Sequence, residues 1–168
     1  MKLFIHTGYY VVLLVLVLLT GCAKNDLSLA EMDALRTGNS GNDDARINEY
    51  LVKHNIEAVR DPSGLYYKIL YFGDSLSVMQ PTSIPTLAYT NKLLNDKVVA
   101  SSFGGIDFDG RQLKDHILGW QIGLRKISKG GSILLFIPSA LAFGPQSIGN
   151  LIPANSILIS EVELIDFK

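Results

Sequence analysis

Leu118-Gly119-Trp120-Gln121-Ile122-Gly123-Leu124-Arg125-Lys126-Ile127-Ser128-Lys129-Gly130-Gly131-Ser132-Ile133-Leu134-Leu135-Phe136-Ile137-Pro138 changes its apolar period halfway through. In the first half Trp120, Gly123, Leu124 and Ile127 fall at i, i+3, i+4 and i+7, the single stripe of an α-helix. Arg125, Lys126 and Lys129 stand near its end, where cations suit the helix dipole, and Gly130-Gly131 stops it. The second half is a continuous apolar run closed by Pro138, the pattern of a buried strand. The spacing predicts a helix over 118–129 and a strand over 132–137. The helix must cover one face of a bent sheet, because its stripe and the sheet's apolar face have nothing else to bury against.

Strand signals flank this pair. Residues 65–72 are aromatic and apolar and end at Gly73-Asp74. Two further runs, 87–94 and 97–102, are joined by the turn Asn95-Asp96, and a last strand over 156–167 carries Leu158, Val162 and Leu164 on one face. The segment 75–83 holds Pro81 and reads as a loop or edge piece. Asp61-Pro62-Ser63-Gly64 is a turn. Ahead of it, Asp43-Asp44 precede Ile47, Tyr50, Leu51 and His54, an acidic start to a short amphipathic helix. The expected fold class is α+β: a bent antiparallel sheet of five to six strands wrapped around one central helix, with a short extra N-terminal helix.

The beginning of the chain has a different character. Met1-Lys2 is followed by an uncharged run through Tyr9-Tyr10-Val11-Val12-Leu13-Leu14-Val15-Leu16-Val17-Leu18-Leu19. One cation and a short apolar run make a secretory signal, and the run falls short of the about 20 residues that a spanning helix needs. Leu19-Thr20-Gly21-Cys22 resembles the bacterial lipobox, in which the cysteine is acylated and becomes the first residue. That resemblance implies a membrane anchor on Cys22 and a place in the cell envelope, outside the cytoplasmic membrane. Acyl chains contribute roughly 0.8 kcal/mol per buried methylene, so stable anchoring needs more than one chain. Cys22 is the only cysteine, so no intramolecular disulfide can form. The organisation read from these features is a lipoprotein signal peptide over 1–21, a polar tether over 22–42, a helical extension over 43–63 and a folded domain over 64–168.

Composition narrows the function classes. The net charge of -1 offers neither nucleic acid nor an anionic membrane surface a basic patch. The 48% hydrophobic share is raised by the signal. Three histidines and one cysteine, widely scattered, do not make a zinc site. Asp107-Phe108-Asp109-Gly110 lacks the oxygen-ligand spacing and closing glutamate of a calcium loop and reads as a solvated turn. Asp115-His116 has no serine or cysteine partner at a motif spacing and reads as a surface pair ahead of the helix. Gly130-Gly131 opens no helix, so it is not a phosphate loop. No metal is expected.

The order of motifs resembles one family. Ala88-Tyr89-Thr90-Asn91, Val99-Ala100-Ser101-Ser102, Ile117-Leu118-Gly119-Trp120, Ile137-Pro138, Ala142-Phe143-Gly144, Leu151-Ile152-Pro153-Ala154-Asn155 and Glu161-Val162-Glu163-Leu164 follow one another as in FKBP-type peptidyl-prolyl isomerases. The resemblance covers about residues 64–168 and implies a sheet wrapped around a helix, with an apolar pocket between them floored by Trp120. Tyr89, Trp120 and Phe143 match catalytic positions. Ile117 and Ile152 match substrate-binding positions, with Val99 beside them and either Phe108 or Ile106 as a further wall. Val99 stands where a phenylalanine is usual, Ala100 where an aspartate is usual, Phe143 replaces a tyrosine, and Ser160 replaces an aromatic residue.

The resemblance implies rotation of Xaa-Pro bonds in exported, proline-containing polypeptides. No bond is made or broken in that reaction, so no nucleophile, metal or cofactor is expected. The substitutions at 100, 143 and 160 remove two polar contacts and some aromatic area, and they define the alternative: a catalytically weak or inactive binding or structural lipoprotein of an envelope complex, for example one associated with motility.

Overall fold

The structure, a computed structural model, describes residues 42–74 and 77–168. The segment read as a signal peptide, Cys22 and nearly all of the expected tether lie outside the described residues. A helix, α1, covers 42–53. Six strands follow: β1 (Val59–Arg60), β2 (Tyr66–Tyr71), β3 (Pro85–Leu93), β4 (Val98–Ser101), β5 (Ser132–Ile137) and β6 (Leu158–Phe167). Helix α2 (Leu118–Gly123), between β4 and β5, continues into one 3-10 turn, Leu124–Lys126. The sheet runs β1-β2-β5-β6-β3-β4 with every neighbouring pair antiparallel. The five longer strands lie where the sequence pattern puts them. The two-residue β1, held only by Tyr66 and Tyr67 of β2, is too short to carry a pattern.

Strand β5 is covered on both faces, which is why it reads as an unbroken apolar run, whereas β6 alternates buried and exposed residues from Ser160 onward. Ile133, Leu135 and Ile137 join Leu158, Val162 and Leu164 of β6 in the core under α2. Phe136 and Ile159 point the other way, with Ile157 and Tyr66, and are covered by Ile47 and Leu51 of α1. The amphipathic stripe that begins at Asp43 thus closes the back of the sheet.

Helix α2 sits very close to β5. A Cβ at Gly119 would lie 2.4 Å from the Ile137 side chain, and one at Gly123 would lie 2.5 Å from Leu135. These glycines, four residues apart, set the contact, and Trp120 beside them is turned into the core. The helix is shorter than its apolar stripe predicts. It ends at Lys126, and Ile127 is extended at φ -126° and ψ 165°. The reason is local: Ser128 already bridges to Val78 and donates its N–H to the Phe72 carbonyl, so the chain must straighten before β5. Ile127 is nonetheless completely buried, and a period-only reading cannot separate these two ways of burying it.

Polar ties lock α1 in place. Buried Asp43 accepts the Ser139 N–H at 2.8 Å and its hydroxyl at 2.6 Å. Asp44 accepts Arg60 Nε–H at 2.7 Å and the Tyr66 hydroxyl at 2.8 Å. The Arg60 and Tyr66 hydrogen bonds hold the Asp44 carboxyl below its usual range. Tyr50 donates its hydroxyl to Asp96 at 2.7 Å, and burial with that carboxylate pushes the phenol up to about 12.

Candidate functional site

On the α2 side of the sheet a cleft of about 340 Å3 opens between the start of α2, the pocket-facing ends of β3 and β4, and the loop after β5. Trp120 forms its base, only 4% exposed. Tyr89 meets the indole edge-on with ring centroids 5.1 Å apart, and Phe108 does so at 5.8 Å. Such tilted contacts put the positive edge of one ring on the negative face of another. Val99, Ala100, Ile117, Phe143 and Ile152 complete the apolar wall, and Ile148 and Leu151 stand at the rim with much of their surface exposed.

Backbone geometry sets these groups. Tyr89 faces the cleft from β3, and Ser102 beyond β4 accepts its N–H and donates a backbone N–H to its carbonyl. Phe108 reaches the cleft from a turn in which it, Asp109 and Gly110 all have positive φ, at 55°, 58° and 79°. A left-handed phenylalanine is costly, and such strain persists where the surroundings over-determine it. The loop carrying Phe143 and Ile152 is closed by Asn155 N–H donating to the Gly144 carbonyl at 2.7 Å.

Of the residues expected at the pocket, Tyr89, Val99, Phe108, Ile117, Trp120, Phe143 and Ile152 line this cleft together. Between the two alternatives for one wall, Phe108 lies in the cleft. Ile106 is held instead in a bridge to Leu87, is 41% exposed, and lies outside the lining. Cys22 falls outside the described residues.

The floor holds a polar chain that sequence reasoning did not anticipate. The indole N–H donates to Ser160 Oγ at 2.8 Å, and Ser160 donates to Asn91 Oδ1 at 2.5 Å. Ser160, which stands in place of an aromatic residue usual in the resembled family, thus gives the buried indole N–H its acceptor. Asn91 faces the cleft two residues beyond Tyr89 on β3, a period-2 relation visible in the sequence.

His116 corrects an expectation. Read as half of a surface pair, it is 9% exposed and lies at the cleft wall, with Phe108 4.8 Å and Trp120 5.5 Å from its ring centroid. Burial, aided by the charge of Arg111, lowers its pKa, opposed by a hydrogen bond to the Arg111 backbone. Its Nε2 is the one buried side-chain polar atom without a partner among the described residues. Asp115 does stay exposed, at the rim with Arg111. No cluster of metal-ligating groups occurs among the described residues. A larger hollow of about 600 Å3 beside α1, lined by Arg46, Glu49 and Lys53 among others, shares no residue with the cleft.

A single sheet curled over one short helix, with an indole at the base of an apolar cleft between them, defines a class of small α+β ligand-binding domain. The family described as FKBP-type peptidyl-prolyl cis-trans isomerase matches residues 78–165, just over half of the chain. The chain is 43% identical over 106 residues to the FKBP-type peptidyl-prolyl cis-trans isomerase FkpA of Buchnera aphidicola subsp. Schizaphis graminum, covering 63% of this chain and 42% of that protein. It is 33% identical over 107 residues to the outer membrane protein MIP of Legionella longbeachae, covering 64% of this chain and 46% of that one. The crystal structure of FkpA from Escherichia coli superposes with a TM-score of 0.66 at 25% identity, covering 99% of this chain and 74% of that one. The chain belongs to the FKBP-type peptidyl-prolyl cis-trans isomerase family. It spans less than half the length of these curated relatives.

Proposed function

We propose that this protein catalyses cis-trans rotation about Xaa-Pro bonds of exported polypeptides, while held at a membrane of the cell envelope by lipid on Cys22. The observation that carries the reading is the apolar cleft floored by Trp120 and walled by Tyr89, Phe108, Ile117, Phe143 and Ile152. Rotation about a peptide bond crosses a barrier of roughly 18–20 kcal/mol set by C–N double-bond character. Xaa-Pro bonds exchange unaided over about 10–100 s. The planar amide is more charge-separated than the twisted one. Moving it from water into an apolar cleft therefore disfavours the ground state relative to the twisted state. A tenfold acceleration needs only about 1.4 kcal/mol of such differential effect. The rings hold the proline while the preceding residue turns, and no proton relay is required.

The short apolar run and the Leu19-Thr20-Gly21-Cys22 sequence support export and acylation. A relative named as an outer membrane protein is consistent with an envelope location. Tyr89, Trp120 and Phe143 contact the reacting proline unit in this reading, and Val99, Phe108, Ile117 and Ile152 hold its flanks.

A second reading, capture of proline-containing loops without turnover, is favoured by Ala100 and Phe143, which line the cleft without the carboxylate and hydroxyl usual at these positions in the family. A protease-coupled isomerisation assay on the chain separates the two. The expected result is a rate well above buffer that falls at least tenfold in Trp120→Ala. A wild-type rate equal to buffer, with peptide still bound, leaves only capture.

A further inference from the structure

We infer that Asp43 of α1 is a positioning residue for the cleft: from the opposite face of the sheet, its carboxylate fixes the turn that presents Phe143, an inference that rests on the proline-site reading above. Helix α1 contributes no residue to the cleft lining, so the link is indirect. Three observations carry it. First, the turn does not cap itself. Ser139–Leu141, just after β5, is a single 3-10 turn, and the first N–H of a helical turn has no partner within it. The residue ahead is Pro138, whose side chain has no polar atom, so the acceptor must come from elsewhere in the fold. Asp43 Oδ2, 96 positions away in sequence, takes both the Ser139 N–H at 2.8 Å and the Ser139 hydroxyl at 2.6 Å. Second, Ser139 passes this constraint on. Its carbonyl accepts the N–H of Ala142 at 3.0 Å and the N–H of Gly144 at 2.8 Å. Those two amides bracket Phe143, which lines the cleft. The Gly144 carbonyl in turn accepts Asn155 N–H, which ties in the leg of the loop that carries Ile152.

Third, the contact is sealed from water. Asp43 is 3% exposed and Ser139 1%. Arg46 meets the other carboxylate oxygen, Oδ1, at 3.5 Å, which leaves Oδ2 to Ser139. Without Oδ2 the two buried donors are stranded, and a stranded donor costs more than its hydrogen bond gained. The chain is buried through Ser139 and half-buried or exposed from Ala140 to Leu151. The part able to shift in search of another acceptor is therefore the loop that holds Phe143.

The test follows cis-trans exchange of a short peptide with one Leu-Pro bond, accelerated by the full chain in detergent. Rates are compared per folded molecule, so lost stability alone leaves them unchanged. Asp43→Ala should be at least fivefold slower than wild type, with the Gly144 and Asn155 amide resonances displaced. Asp43→Leu, similar in outline and also without an acceptor, takes its place should the alanine variant not fold. Asp43→Asn, whose amide oxygen can accept both Ser139 donors, should recover the rate to within about twofold. Asp44→Ala cuts the ties of α1 to Arg60 and Tyr66 but not the turn, and should keep the wild-type rate. A wild-type rate in the variant without an acceptor, or an equal loss in Asp43→Asn or Asp44→Ala, overturns the positioning role and leaves the proline site standing. If wild type does not accelerate exchange, the isomerase reading falls, and peptide affinity, read from the fluorescence of the only tryptophan, Trp120, replaces the rate with the same ordering expected. Wild type that neither accelerates exchange nor binds the peptide removes the proline-site reading and this inference together.

Discussion

Trp120 spends its one polar hydrogen on Ser160, so the rest of the indole can face an apolar cleft without leaving an unsatisfied donor in the core. His116, at the same wall, has the opposite problem, because its buried Nε2 has no partner. Protonating it would put a charge against Phe108 and Trp120, which is why burial lowers its pKa. The unfolded chain then binds the proton more readily than the folded one, so stability falls as pH drops below the ordinary histidine value of about 6.5, until the folded pKa is passed. Urea unfolding at pH 7.5 and pH 5 should show this loss in the wild type, and His116→Val should remove that part of the pH dependence. The burial of His116 was not legible beforehand. Its neighbours Lys114 and Asp115 are charged, and only the left-handed turn that brings Phe108 over the ring makes the position interior.

At the scale of elements, helices α1 and α2 press on opposite faces of β5 and β6, and they are fixed differently. Helix α2 is held by shape, through Gly119 and Gly123 against Ile137 and Leu135. Helix α1 is held by Ile47 and Leu51 together with the Asp43 carboxylate, which reaches Ser139 just beyond β5. Removing that carboxylate strands a buried N–H and hydroxyl. Asp43→Ala is therefore expected to lower urea stability by about 1–3 kcal/mol while α1 keeps its helical content by circular dichroism. The five longer strands and both helices were readable from period because each buries a long enough stripe. The end of α2 was not, because Ile127 is buried whether the backbone is helical or extended. The Ser160–Asn91 chain was hidden for another reason: β3 and β6 are far apart in sequence, and only their register sets these two side chains together.

At the scale of the whole molecule, the proposed function joins two parts, an amino terminus proposed to be exported and lipid-anchored and a domain whose cleft is proposed to take proline rings out of water. The two parts are tested separately. Cys22→Ser should move the chain from the membrane to the soluble fraction of the envelope, with its isomerisation rate unchanged in detergent. Most of the cleft lining was legible through the order of short motifs from Tyr89 to Ile152, whereas the choice between Ile106 and Phe108 needed the turn geometry. The most direct test of the central claim is exchange NMR on a short Xaa-Pro peptide, with a substoichiometric amount of the chain and the Trp120 indole N–H resonance followed in the same sample. The account predicts cis-trans exchange well above the uncatalysed rate, together with a peptide-dependent shift of that one indole signal. Exchange at the buffer rate, or acceleration that leaves the indole signal unmoved at saturating peptide, would contradict it.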